Sequence, residues 1–378
     1  MSDESQSEPQ PTADPSFTPG LELAGAFWVE AVEPLLRMQM PEARVGAALL
    51  GPGSDVLGFD TQLSRDHDWG PRLQLFVPEP ELPHLAPLIE RLLRLELPVG
   101  FHGEPTSFSK PDAYGRRWPQ QLVAGPVDHA VEVTSVRRFC QRLIGFDPGQ
   151  QMDARRWLLA PQQRLLELTE GEVFADPDGE LGELRERLSF YPHEVWLYLL
   201  ASQWWRVGRH EQASVRAGMT GDDLGSRMLA AVLVRDLMRL AFLLERRYAP
   251  YDQWLGRALS KLPSGPRLGV SLARVLTAYD WTQREIRLAE SLGLLITLHN
   301  SLGLTAPLPL ELPRSERGLL TIAAERFALP LRDAITDPEL RRLPAFLGGA
   351  DQLAGSDELL LDPQLLGSLA ACYGRQSG

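Results

Sequence analysis

The stretch Gly51-Pro-Gly-Ser-Asp-Val-Leu-Gly-Phe-Asp-Thr-Gln-Leu-Ser-Arg-Asp-His-Asp-Trp-Gly-Pro-Arg-Leu-Gln-Leu-Phe-Val77 decides how the rest of the chain is read. The apolar run 45–50 ahead of it predicts a short buried strand. A Gly-Pro-Gly turn and Ser54 follow, then a loop, and then Asp66-His67-Asp68 leads into an apolar run, 73–77, suited to an interior strand. Read as strand residues, carboxylates at i and i+2 project from one face. Two like charges that close repel, so a cation must offset them, and paired oxygen ligands suit Mg²⁺. Backbone N–H groups at Gly53 and the Ser54 hydroxyl would cradle phosphate oxygens. A phosphate cradle beside a metal-binding acid pair is the minimum equipment for moving a nucleotidyl group.

Gly53-Ser54, a spacer, and Asp66-x-Asp68 resemble the Gly-Ser…Asp-x-Asp core of polymerase-β-like nucleotidyltransferases, a superfamily that includes aminoglycoside nucleotidyltransferases. Its pattern wants a third carboxylate on a later strand, and Glu132 in Ala130-Val-Glu-Val133 answers to it, with Asp128 as competitor. The long gap between Asp68 and Glu132 implies an insertion between those strands. A narrower resemblance rests on residues 51–68, the run 248–254 read as helical, His299-Asn300 and Gly348-Gly-Ala-Asp-Gln352. These are similar to an uncharacterised bacterial domain-of-unknown-function family, built as a nucleotidyltransferase-like head with a helical tail.

The fold class implied is α+β: a small mixed-sheet head followed by an all-α bundle. The expected domains are an acidic, Ser- and Pro-rich disordered tail over 1–19, the head over 20–140 and the helical domain over 141–378. Within the head, 21–40 reads as a helix interrupted at Pro34, 85–97 as an amphipathic helix, 99–108 as an extra strand and 130–136 as the strand closing the sheet. Residues 110–121, with Asp112, Arg116, Arg117 and Trp118, read as a loop near the cleft. From about 137 strand signals fade, and 155–168 (broken at Pro161), 193–207, 222–248, 251–262, 268–298 and 318–327 show helical periodicity. No repeat of fixed period is present.

Composition narrows the partners. The chain has 378 residues, 44% apolar and 23% charged, which is ordinary for a globular protein with two or three cores. A net charge of −12 argues against a broad nucleic-acid surface. Two cysteines, Cys140 and Cys372, cannot build a disulfide framework or a zinc site. No run is long enough to span a membrane, and the N-terminus lacks the features of a secretory signal, so cytoplasmic residence is the default. Signatures for serine hydrolases, phosphate-binding loops of the Gly-Lys-Ser/Thr type and zinc proteases are missing. Arg206 and His210 are too closely spaced for the Arg-to-His element of helical ribonucleases.

The resulting assignment has Asp66, Asp68 and Glu132 as catalytic and metal-ligating residues holding two Mg²⁺ ions. Gly53, Ser54, Arg65 and Arg72 would contact the nucleoside triphosphate, ATP being the expected one. The acceptor would be a small molecule, and homo-oligomerisation is left open. Against these stand duller roles: turn residues for Asp55 and Asp60, ion pairing for Arg65 and Arg72, packing for His67, core for Trp204, Trp205 and Trp254, and a buried, hydrogen-bonded His299. The alternative function is a catalytically inactive nucleotide-binding or regulatory module on the same fold.

Overall fold

The computed structural model describes residues 17–150 and 152–374. Most of the expected tail, 1–16, lies outside the described residues; its last part does not behave as a tail. Phe17 stacks on Trp69 with ring centroids 5.6 Å apart, and the Pro19 carbonyl accepts the amide of Leu23. The chain divides into two compact units, residues 1–139 with 170–183, and 140–169 with 184–378.

The first unit is built on a four-stranded sheet. Strand β1 (Gly46–Leu49) pairs antiparallel with β2 (Arg72–Phe76), and β2 runs parallel to β7 (Ala130–Thr134). Strand β8 (Glu172–Ala175) pairs antiparallel with the other side of β1. This strand lies where strand signals had faded; four residues of edge strand carry too little periodicity to stand out. Parallel neighbours need a long crossover. The one joining β2 to β7 contains helix α3 (Leu82–Glu96) and two small hairpins, β3 (Gly100–Phe101) with β4 (Glu104–Pro105), and β5 (Ser107–Phe108) with β6 (Pro119–Gln120). The long gap between Asp68 and Glu132 is filled by this material, and the single strand expected over 99–108 is three two-residue pieces.

Alternation on the paired strands separates two faces. Leu73, Leu75, Val131 and Val133 turn into a core completed by Phe27, Val32, Ile89 and Leu93. Phe27 and Val32 come from the N-terminal helical stretch, where α1 (Gly20–Phe27) passes through a π-helical turn (Trp28–Val32) into α2 (Glu33–Gln39). The widened turn lies immediately ahead of Pro34, which has no N–H to continue the ladder. The opposite face of the sheet carries Arg72, Gln74, Glu132 and Thr134.

The second unit is helical. The break expected at Pro161 separates α5 (Ala154–Leu159) from α6 (Gln162–Thr169), after α4 (Val136–Ile144). Beyond α7 (Glu180–Arg187) come α8 (His193–His210), α9 (Ala213–Met219), α10 (Asp223–Leu244), α11 (Asp252–Leu259), α12 (Gly265–Leu276), α13 (Trp281–Ser301) and α14 (Glu325–Asp333). The single helix expected over 268–298 is two, because Asp280 caps α13 by accepting the Gln283 amide at 2.8 Å. Residues 318–324 are loop rather than helix. So is much of 248–254: residues 248–251 have no regular structure, and the amides of Ala249 and Tyr251 donate to the side chains of Gln162 and Gln163.

Trp204 is fully buried and stacks on Phe327 at 4.1 Å, as a core role requires. His299 is buried and hydrogen-bonded: Trp204 Nε1 donates to its Nδ1 at 3.2 Å, and its Nε2 meets Thr305. Burial holds its pKa down at about 4, so it is neutral. Asp351 accepts the Gln162 amide at the start of α6, and Gln352 bridges Leu199 O and Gln203. The 248–254 and 348–352 segments are thereby tied to the same helical framework. No helix among the described residues is long and apolar enough to cross a membrane.

Candidate active site

Asp66 and Asp68 do not lie on a strand. Asp66 ends a 3₁₀ turn (Gln62–Asp66) capped by Thr61, Asp68 has left-handed backbone (φ 49°), and β2 begins only at Arg72. The Trp69-Gly-Pro71 segment accounts for the offset: Gly70 takes φ 131°, and Pro71 lacks the N–H a ladder needs. The residues that share the sheet face with Glu132 are therefore Arg72 and Gln74, and Gln74 is paired directly with Glu132.

The Gly51–Gly53 turn is held over the start of β2. Arg72 forks onto the buried Asp55, Nη2 to Oδ1 at 2.6 Å and Nε to Oδ2 at 3.1 Å, and also donates to the Pro52 carbonyl at 3.2 Å. A side chain at Gly53 would meet Arg72 Nη2 and Asp55 Oδ1, each 2.2 Å from its Cβ, and the φ of 152° there is a backbone that favours glycine. Ser54 contributes its carbonyl, which accepts the Phe59 amide at 2.7 Å. Asp55, read from sequence as a turn residue, is the partner that occupies Arg72. Arg65 is likewise engaged, ion-paired with Glu104 and lying 5.6 Å from the Trp69 ring centre. Asp60 accepts from Gly20 N and Trp69 Nε1. Both arginines are thus engaged in ion pairs within the first unit.

Asp68 is fixed by a residue whose weight the sequence did not reveal. Its amide donates to the Arg117 carbonyl at 2.9 Å, and its Oδ1 accepts the Arg117 amide at 3.0 Å. The Arg117 guanidinium donates to the carbonyls of Ser109, Asp128 and His129, and lies 5.5 Å from the Phe108 ring centre. Burial draws its pKa down, against the opposing charges of Asp128 and Asp68. Arg117 therefore clamps the loop before β2 against the segment leading into β7. Asp66 is exposed, and its pKa lies below the ordinary carboxylate value. The slight burial that would raise it is outweighed by the His67 imidazole 2.9 Å away.

Arg72 thus ties the glycine turn to the start of β2, Arg117 ties the Asp66–Asp68 loop to the segment leading into β7, and Arg72 pairs with Ala130, two residues before Glu132. The carboxylates of these segments are not assembled into one ligand set: among the described residues no group of three or more His, Cys, Asp or Glu is placed to hold a metal ion.

Residues 157–255 match a family described as Domain of unknown function (DUF4037). The search of curated proteins found no similar sequence. Among solved structures, the crystal structure of nucleotidyltransferase-like protein from Exiguobacterium sibiricum 255-15 aligns with 72% of this chain and 78% of that one, at 12% identity and a TM-score of 0.33.

Proposed function

We propose that the first unit is a nucleotidyltransferase head that transfers an NMP group from a nucleoside triphosphate, ATP in the first instance, to a hydroxyl of a small-molecule acceptor. The observation that carries this reading is the set of ties just described, linking an acid loop and a glycine turn to the β2–β7 pair and its acid-bearing strand. Mg²⁺ commonly takes only one or two carboxylates and completes its shell with water and substrate phosphates. Asp66, exposed and held anionic, and the second oxygen of Asp68 fit an ion of that kind arriving with the triphosphate. Bound there, it would supply neutralisation of charge on the phosphoryl oxygens. In the proposed reaction the acceptor oxygen attacks the α-phosphorus, the bond to the β-phosphate oxygen breaks and pyrophosphate leaves. Glu132 takes the hydroxyl proton. Gly53 and Ser54 offer backbone N–H groups to phosphate oxygens, while Arg65 and Arg72 act indirectly, through their ion pairs.

One observation favours the second reading, a catalytically silent nucleotide-binding module. The strand face beside Glu132 carries Arg72 and Gln74 where acids were expected. Incubation with α-³²P-labelled nucleotides, Mg²⁺ and a cell extract separates the two. An enzyme labels an acceptor, and Glu132→Gln reduces labelling at least tenfold while nucleotide binding persists. Nucleotide binding with no labelled product supports the silent module.

A further inference from the structure

Outside the acid loop, the turn joining β5 and β6 carries exposed aromatic rings. Tyr114 is 83% exposed and Trp118 42%, and the Arg116 guanidinium reaches both rings, 4.9 Å from the first ring centre and 5.8 Å from the second. Trp118 in turn lies 5.5 Å from the ring of His67, the residue between the two acids. The row Tyr114, Arg116, Trp118, His67 therefore ends at the acid loop. It is rigid at its base. Asp112 accepts the amides of Tyr114 and Arg116 at 2.8 and 3.0 Å and Arg116 Nε at 2.9 Å, and Arg117 ties the same hairpin to Asp68.

Exposed aromatic rings interleaved with a guanidinium are a stacking surface for flat π systems, and a nucleobase stacks on them without regard to its identity. We propose that the β5–β6 hairpin is the base platform of the nucleotide site, with Tyr114 and Trp118 stacking the base and Arg116 fixing their spacing. This rests on the nucleotidyltransferase reading above and adds the residues that hold the base. The carboxylate of Asp112 is spent on its own hairpin, so the platform discriminates by ring area: purines bind more tightly than pyrimidines, and adenine and guanine alike.

The test compares ATP with inorganic tripolyphosphate, both with Mg²⁺, by calorimetry on the full chain. In Tyr114→Ala and in Trp118→Ala, ATP affinity falls about tenfold, tripolyphosphate affinity is unchanged and the unfolding midpoint is retained. ATP affinity unchanged in both variants overturns the platform and leaves the nucleotide site standing. If wild type binds neither ATP nor tripolyphosphate, the nucleotide reading itself fails and the platform with it.

Discussion

At the scale of single residues, Arg72 separates two accounts of the glycine turn. A guanidinium reserved for triphosphate could be removed at little cost to folding. Here it neutralises Asp55, whose side chain is 2% exposed, and an orphaned buried carboxylate costs about 3–5 kcal/mol. Arg72→Ala should therefore lower the free energy of urea unfolding by about that amount; a change below about 1 kcal/mol would contradict the ion-pair role. His299 supplies a pH dependence. Burial holds its folded pKa at about 4 against 6.5 when free, so between those values the unfolded chain binds the extra proton. Stability from this group is full above pH 6.5 and is lost as pH falls toward 4. Between pH 7 and 5 the loss is about 2 kcal/mol. The difference between wild type and His299→Gln, followed by denaturant unfolding across that range, should show it; parallel profiles would contradict a depressed imidazole. The core role of His299 was legible in the sequence, whereas the role of Asp55 was not. An aspartate after Gly-Ser looks like any turn residue until the fold brings Arg72 to it from 17 positions away.

At the scale of elements, Arg117 joins the β5–β6 hairpin, the acid loop and the segment before β7. Losing its three carbonyl-directed bonds in Arg117→Met should raise amide hydrogen exchange at least tenfold at Asp68 and across 107–120, with β1 and β2 unaffected. Uniform protection in the variant would show that the clamp is not needed. Strands β1, β2 and β7 were legible from apolar runs, and α8 and α10 from long helical periodicity. The acid pair was misplaced because its spacing matched a strand, while Gly70 and Pro71 delay pairing until Arg72. The break between α12 and α13 was missed because apolar residues keep nearly helical spacing across Asp280, where the cap ends the register. The clamp itself left no pattern: Arg117 acts through its backbone and on carbonyls, and neither is written in side-chain spacing.

At the scale of the whole molecule, the first unit is discontinuous, since β8 returns from beyond residue 169 to pair with β1. A head defined as 20–140 lacks that strand and leaves Ala47–Leu49 with an open edge, a template for association between chains. A 17–140 fragment should show concentration-dependent association by light scattering where the full chain does not; a monodisperse fragment would contradict the structural need for β8. Division into a mixed-sheet unit and a helical unit was legible from the change of periodicity near residue 137, but a four-residue strand inserted among helices was not. The claim on which the functional account turns is that the Asp66–Asp68 loop meets the triphosphate through Mg²⁺. Calorimetric titration of ATP with Mg²⁺ into wild type and into Asp66→Ala/Asp68→Ala tests it most directly. The account predicts measurable binding by wild type that weakens at least tenfold in the double variant; equal binding by the two proteins would contradict it.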